Sequence, residues 1–160
     1  LHTNDAAGAI PRLVDMGIRP YVLAPALNLV IAQRLVRVVC TACAQEYDPD
    51  AALRARLKES MKSVRKDVFD PAILDDPSLR FMRAVGCQVC GNTGYHGRLG
   101  AFEIFAVEQE MKELILQGVS SADIQKIALK NGMTTIAQDA YLKVIDKKTT
   151  IDEVERVSQE

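Results

Sequence analysis

The chain has 160 residues, 48% of them hydrophobic and 26% charged, with a formal net charge of -1. That mixture describes a globular protein rather than a disordered or fibrous one, and so small a net charge gives no general reason to expect nucleic acid as a partner. The most apolar run, residues 21–32, is broken by Pro25 and Asn28 and falls short of the roughly 20 residues that cross a bilayer, so no transmembrane helix is expected.

The first residues, Leu1-His2-Thr3-Asn4-Asp5, carry neither an initiator methionine nor the regions of a signal peptide, and read as cut from a longer protein. Asn4 or Asp5 can cap a helix with Ile10, Leu13 and Val14 on its apolar face, starting near Ala9 or kinked at Pro11, with Gly17 as its stop. Pro20 opens a second short helix that ends near Asn28. The branched residues from Leu29 to Val39 then predict a strand that runs into Cys40 with no Gly or Pro as a hinge. Two helices and a long, mostly apolar strand predict the edge of an α/β domain whose other strands lie elsewhere.

Residues 51–66 have high helix propensity and six basic residues, Arg54, Arg56, Lys58, Lys62, Arg65 and Lys66, against one acid, Glu59. The Asp-Pro breaks that follow predict a helix and an extended return. Glycines 91, 94, 97 and 100 predict tight turns, and a short strand is expected from Leu99 to Phe105. Ser120 with Asp123, Thr135 with Gln138 and Thr150 with Glu153 then mark three helix starts, and Asn131-Gly132 a stop. These predict a small helical bundle at the end of the chain.

The four cysteines are two Cys-x-x-Cys pairs, Cys40 with Cys43 and Cys87 with Cys90, separated by 43 residues. Zinc favours four thiolates at the corners of a tetrahedron, and two such pairs supply them. The gap exceeds the common ribbon spacing of about 15 to 20 residues. Closing the longer loop costs only about 0.8 kcal/mol more, against the roughly 10 to 16 kcal/mol that zinc contributes in small peptides. Four thiolates leave no open coordination position, which makes the zinc structural. Four separate buried thiols and a redox pair are the alternatives, the latter without a thioredoxin-like context. His96 reads as a turn-surface residue, and Arg98 and Glu103 as a local polar pair or surface positions.

Six separated motifs together resemble the C-terminal part of the type II secretion and type IV pilus assembly ATPases. They are Leu1-His2-Thr3-Asn4-Asp5, Arg12-Leu13-Val14-Asp15-Met16-Gly17, Gln33-Arg34-Leu35-Val36-Arg37, the two cysteine pairs, Thr93-Gly94-Tyr95-His96-Gly97-Arg98 and Gly132-Met133-Thr134-Thr135. Residues 51–83 match least. The resemblance implies the edge of a RecA-like ATPase domain over 1–39, a tetracysteine zinc module over 40–105 and a helical subdomain over 106–160. It implies a cytoplasmic hexameric motor, peripheral at the inner membrane, that uses ATP and magnesium to drive pilin or pseudopilin movement through an inner-membrane platform protein.

On the same resemblance, His2 falls on a histidine box near the nucleotide γ-phosphate. Gln33, Arg34 and Arg37 read equally as nucleotide-proximal or inter-subunit groups and as surface or paired residues at a sheet edge. No G-x-x-x-x-G-K-[ST] occurs in the chain, so no catalytic residue is assigned and the chain alone is expected to be inactive. The basic segment leaves contact with anionic lipid open. A zinc-ribbon module that binds nucleic acid is a second reading, weakened by the lack of interleaved aromatics, and a purely structural adaptor is a third.

Overall fold

Asp5 before its start and Gly17, at φ +91°, after its end bracket the first helix, α1 (Ala9–Asp15), in the computed structural model, which describes residues 1–118 and 120–159. The Asp5 carboxylate accepts the Gly8 N–H at 2.7 Å, and Pro11 occupies the first turn, where its missing donor breaks no helical bond. Pro20 opens α2 (Pro20–Ala26), and the chain then extends into β1 (Leu29–Val39), as its branched residues predict. β1 pairs with β4 (Tyr95–Ala106), which is longer than the expected 99–105 strand.

The chain divides into two compact units, each discontinuous in sequence: residues 1–33 with 102–135, and residues 34–101 with 136–160. This differs from the sequential division 1–39, 40–105 and 106–160. In the first unit α4 (Gln109–Gln117) packs on α2 and on α5 (Ser121–Lys130). Ile10, Leu23, Val30, Phe105, Met111 and Ile124 meet in its core. Glu103, expected in a local polar pair or at the surface, is buried there, and its carboxylate accepts the Ala6 N–H at 2.9 Å. A buried carboxylate needs such a donor, and the free amides preceding α1 provide it.

In the second unit a three-residue ladder forms between β2 (Gln45–Tyr47) and β3 (Phe81–Arg83), antiparallel, with Glu46 opposite Met82. α3 (Ala51–Met61) is capped by Asp50, whose carboxylate accepts the Leu53 N–H, and it buries Leu57 and Met61. α6 (Ile136–Ile145) packs on α3, on β3 and on α7 (Ile151–Gln159). The helices beyond Gln109 therefore divide between the two units, α4 and α5 in one and α6 and α7 in the other. Each has about ten residues and a single apolar stripe, enough to bury one face against whichever layer is nearest.

Helix α3 stops five residues before the predicted end at residue 66. Gln138 of α6 explains part of this, because its amide donates to the Ser60 carbonyl and to Ser63 Oγ, both at 2.8 Å. That carbonyl would otherwise accept the next helical N–H. Five of the six basic residues of this segment, all but Lys66, have partners within the same unit. Arg56 pairs with Glu155, Lys58 with Asp75, Lys62 with Glu59 and Arg65 with Asp67. Arg54 ties the insert together by donating to Asp48 and to the carbonyls of Pro49, Leu74, Asp76 and Leu79.

Candidate metal centre

The strand β1 delivers Cys40 to the site, and the chain turns at once: the Cys40 carbonyl accepts N–H groups from Cys43 at 3.2 Å and Ala44 at 2.8 Å. This tight turn brings Cys43 back beside Cys40. In the second pair an extended Cys87 leads into a single 3-10 turn, Gln88–Cys90, closed by Gly91 in the left-handed region and by an Asn92 N–H to Cys87 carbonyl bond of 2.8 Å. Glycine adopts that left-handed backbone without a Cβ penalty, as the sequence predicted for this knuckle. A bond of 2.9 Å from the Cys40 N–H to the Gly94 carbonyl joins the two knuckles.

All four Sγ atoms lie within 4.8 Å of one another. Cys40 and Cys87 are 4.0 Å apart, Cys43 and Cys90 3.9 Å, and Cys87 and Cys90 3.8 Å. A tetrahedral zinc with sulfur ligands at about 2.3 Å requires edges of about 3.8 Å, so the donor set and its spacing fit zinc. The N–H groups of Cys87 and Gly94 each point at the Cys90 sulfur from 3.2 Å. Burial opposes ionisation of Cys90, but these donors and the neighbouring thiols outweigh it and bring the thiol down to about 6. Burial pushes Cys43 up to about 11. The amide groups thus stabilise negative charge on sulfur, which is the ligand form zinc needs.

The loop geometry leaves no room for a side chain at two glycines. A Cβ on Gly94, whose φ is +77°, would lie 2.7 Å from Ala84 Cβ and 3.1 Å from its carbonyl carbon, and one on Gly86 would lie 2.8 Å from the Asn92 carbonyl oxygen. Gly94→Ala is therefore expected to destabilise the protein by about 2 to 4 kcal/mol and to lower zinc occupancy, through both clash and strained φ. Urea unfolding and elemental analysis of the purified variant check this. Full occupancy with an unchanged midpoint would refute the close-packed geometry.

The other residues singled out from sequence lie in different surroundings. His2 and Gln33 are exposed and Arg34 is half-buried, following the alternation of β1 from Gln33 onward. His96 is exposed on β4 and does not belong to the sulfur cluster. Arg37 is bound within its own unit: its guanidinium donates to Glu153 Oε1 at 2.9 and 2.6 Å and lies 4.1 Å from the centroid of the Tyr95 ring.

The Glu153 side chain has no exposed surface, and Arg156 also contacts it, at 3.2 and 3.0 Å. Burial would raise its carboxyl, but hydrogen bonds from Arg156 and Arg37 prevail and hold it down at about 2. Sequence reasoning gave Glu153 only a capping role. Its helical position, four residues before Val157 and on the side of the buried Val154, was the signal that it faces inward.

Four cysteines whose sulfurs lie within 4.8 Å of one another on a mixed α/β scaffold define a protein with a cluster that could hold a metal ion, and a tetrahedral ion there would keep no open position for a reacting ligand. Residues 1–156 match the family of type II/IV secretion system proteins, and the chain belongs to that family. It is 41% identical over 160 residues to the type II secretion system protein E of Pseudomonas aeruginosa, covering all of this chain and 29% of that protein. It is 38% identical over 154 residues to the type IV pilus assembly ATPase PilB of Thermus thermophilus, covering 96% of this chain and 16% of that protein. The chain thus spans less than a third of the length of these relatives. The match begins at residue 1 and does not itself mark the chain as a C-terminal part.

Proposed function

We propose that this chain is the zinc-bearing portion of a motor ATPase that powers type II protein secretion or type IV pilus assembly. The observation that carries the reading is the family match over residues 1–156, together with relatives named as a type II secretion protein and a pilus assembly ATPase. In this reading the four cysteines hold zinc structurally, and ATP and magnesium bind at a phosphate cradle outside these 160 residues. The working motor is a cytoplasmic hexamer at the inner membrane, acting on a platform protein there. No helix among the described residues is long and apolar enough to cross a membrane. His2, Gln33 and Arg34 belong to the nucleotide-proximal surface of that assembly, while Arg37 serves the fold through Glu153.

Nucleic-acid or lipid binding is not taken as the main role of the basic segment, because five of its six basic residues, all but Lys66, meet acids or carbonyls of the same unit. The test is phosphate release from ATP. The 160-residue chain by itself is expected to show no turnover, since it lacks the phosphate-cradling loop and its lysine. The longer polypeptide containing it is expected to hydrolyse ATP. Turnover by the short chain that survives repurification, or none by the longer one in magnesium, would overturn the proposal.

A further inference from the structure

The last stretch of β1 before Cys40 is bordered by the α6–α7 connection and by α7. Four hydrogen bonds are involved, all to backbone groups of the alternate residues Leu35, Arg37 and Val39. The Arg37 N–H donates to Glu153 Oε2 at 2.7 Å, and the Arg37 carbonyl accepts the Thr149 hydroxyl at 2.7 Å. The Val39 N–H then donates to the Lys148 carbonyl at 3.0 Å. Further up, the Leu35 carbonyl accepts from Arg156 at 2.8 Å. Residues of the α6–α7 region therefore stand where a neighbouring strand would, immediately before the first ligand.

The second knuckle is tied to the same cluster. Tyr95 stacks under Arg37, and its hydroxyl lies 2.9 Å from Thr150 Oγ1. Just before it, Gly94 donates to the Cys90 sulfur and accepts from Cys40. A continuous bonded path thus runs from the Glu153 carboxylate through β1 to both knuckles. Glu153 suits the centre of such a path, because a buried carboxylate held by two arginines and a backbone N–H has little freedom to move.

We infer that Glu153 is a positioning residue for the metal centre: by holding the end of β1 and, through Arg37, the ring of Tyr95, it keeps the two cysteine pairs at ligating distance. It touches no ligand itself. Retention of zinc therefore depends on the docking of α7, and release of α7 would loosen the metal without any change in the cysteines. The inference rests on the zinc reading above.

The experiment measures zinc release from the zinc-loaded full chain into an excess of chromogenic chelator. Glu153→Gln is expected to release zinc about tenfold faster, the lower range for loss of a supporting contact around a metal site. Tyr95→Phe, which removes one hydroxyl, is expected to accelerate release about threefold by the same reasoning. Leu57→Ala is the control. It empties part of the core of the same unit, on α3, which contributes none of the hydrogen bonds of this path, and should lower the melting temperature while leaving the release rate within about twofold.

Equal acceleration by Leu57→Ala and Glu153→Gln would overturn the inference, since general destabilisation would then explain both. So would an unchanged rate in Glu153→Gln. If that variant does not fold, Tyr95→Phe decides, and an unchanged rate there overturns the inference. An unaltered chain that takes up no zinc would overturn the metal reading itself, an outcome read before any variant is compared.

Discussion

Removing zinc from the protein is expected to lower its melting temperature by about 10 to 20 °C, the largest effect of any single perturbation. The second unit contains all four cysteines, and the Cys40–Gly94 bond is a backbone link between the two knuckles. Without metal, four thiols packed within 4.8 Å lose the cation that offsets their charge and holds the turns together. Zinc contributes roughly 10 to 16 kcal/mol in small peptides, but part of the second unit is also held by the buried side chains of Leu57, Leu74, Phe81 and Val144, so the net loss should be nearer 5 kcal/mol.

The first unit has its own apolar core and no cysteine, and should keep its helical signal after chelation. Calorimetry before and after chelation, with elemental analysis of freshly reduced protein, makes the comparison. One equivalent of zinc and a separated, lowered transition are expected. Less than about half an equivalent, with melting unchanged by chelator, would rule out the structural zinc.

Much of this centre was legible because its determinants are local. The Cys-x-x-Cys spacing, Gly91 after the second pair and the branched run into Cys40 are statements about neighbouring residues, and β1 has the predicted bounds. The helix starts at Ser120 and Thr150 were equally local, and both side chains accept the N–H three residues on. What escaped depended on partners distant in sequence. Three residues of β2 meet three of β3 across the insert, too short a run for alternation to register.

The early end of α3 depends on Gln138, 78 residues from Ser60, and the burial of Glu103 on an N–H 97 residues away. The division of the last four helices was also invisible. An apolar stripe states that a face is buried, not against what.

Glu153 shows how such a distant partner sets a measurable property. Its carboxyl is held at about 2, below the ordinary value of 4.5, because Arg37 and Arg156 favour the ionised form more than burial disfavours it. A group whose folded pKa is depressed contributes stability that is complete above its unfolded pKa and is lost as pH falls through the folded one. For Glu153 that window runs from about 4.5 down to about 2.

The full shift corresponds to about 3 kcal/mol. Arg37 and Arg156 are 46% and 38% exposed, so water screens their side of the pairs. About 2 kcal/mol is the better expectation at pH 7. Glu153→Gln should therefore unfold at lower urea than the unaltered protein at pH 7, and the gap should narrow as both are taken toward pH 2.5 at matched metal content. Near the lower limit the unaltered carboxyl is itself becoming protonated and resembles the amide. A gap that is absent at pH 7, or that widens in acid, would show that the carboxylate's charge does not secure α7 to β1.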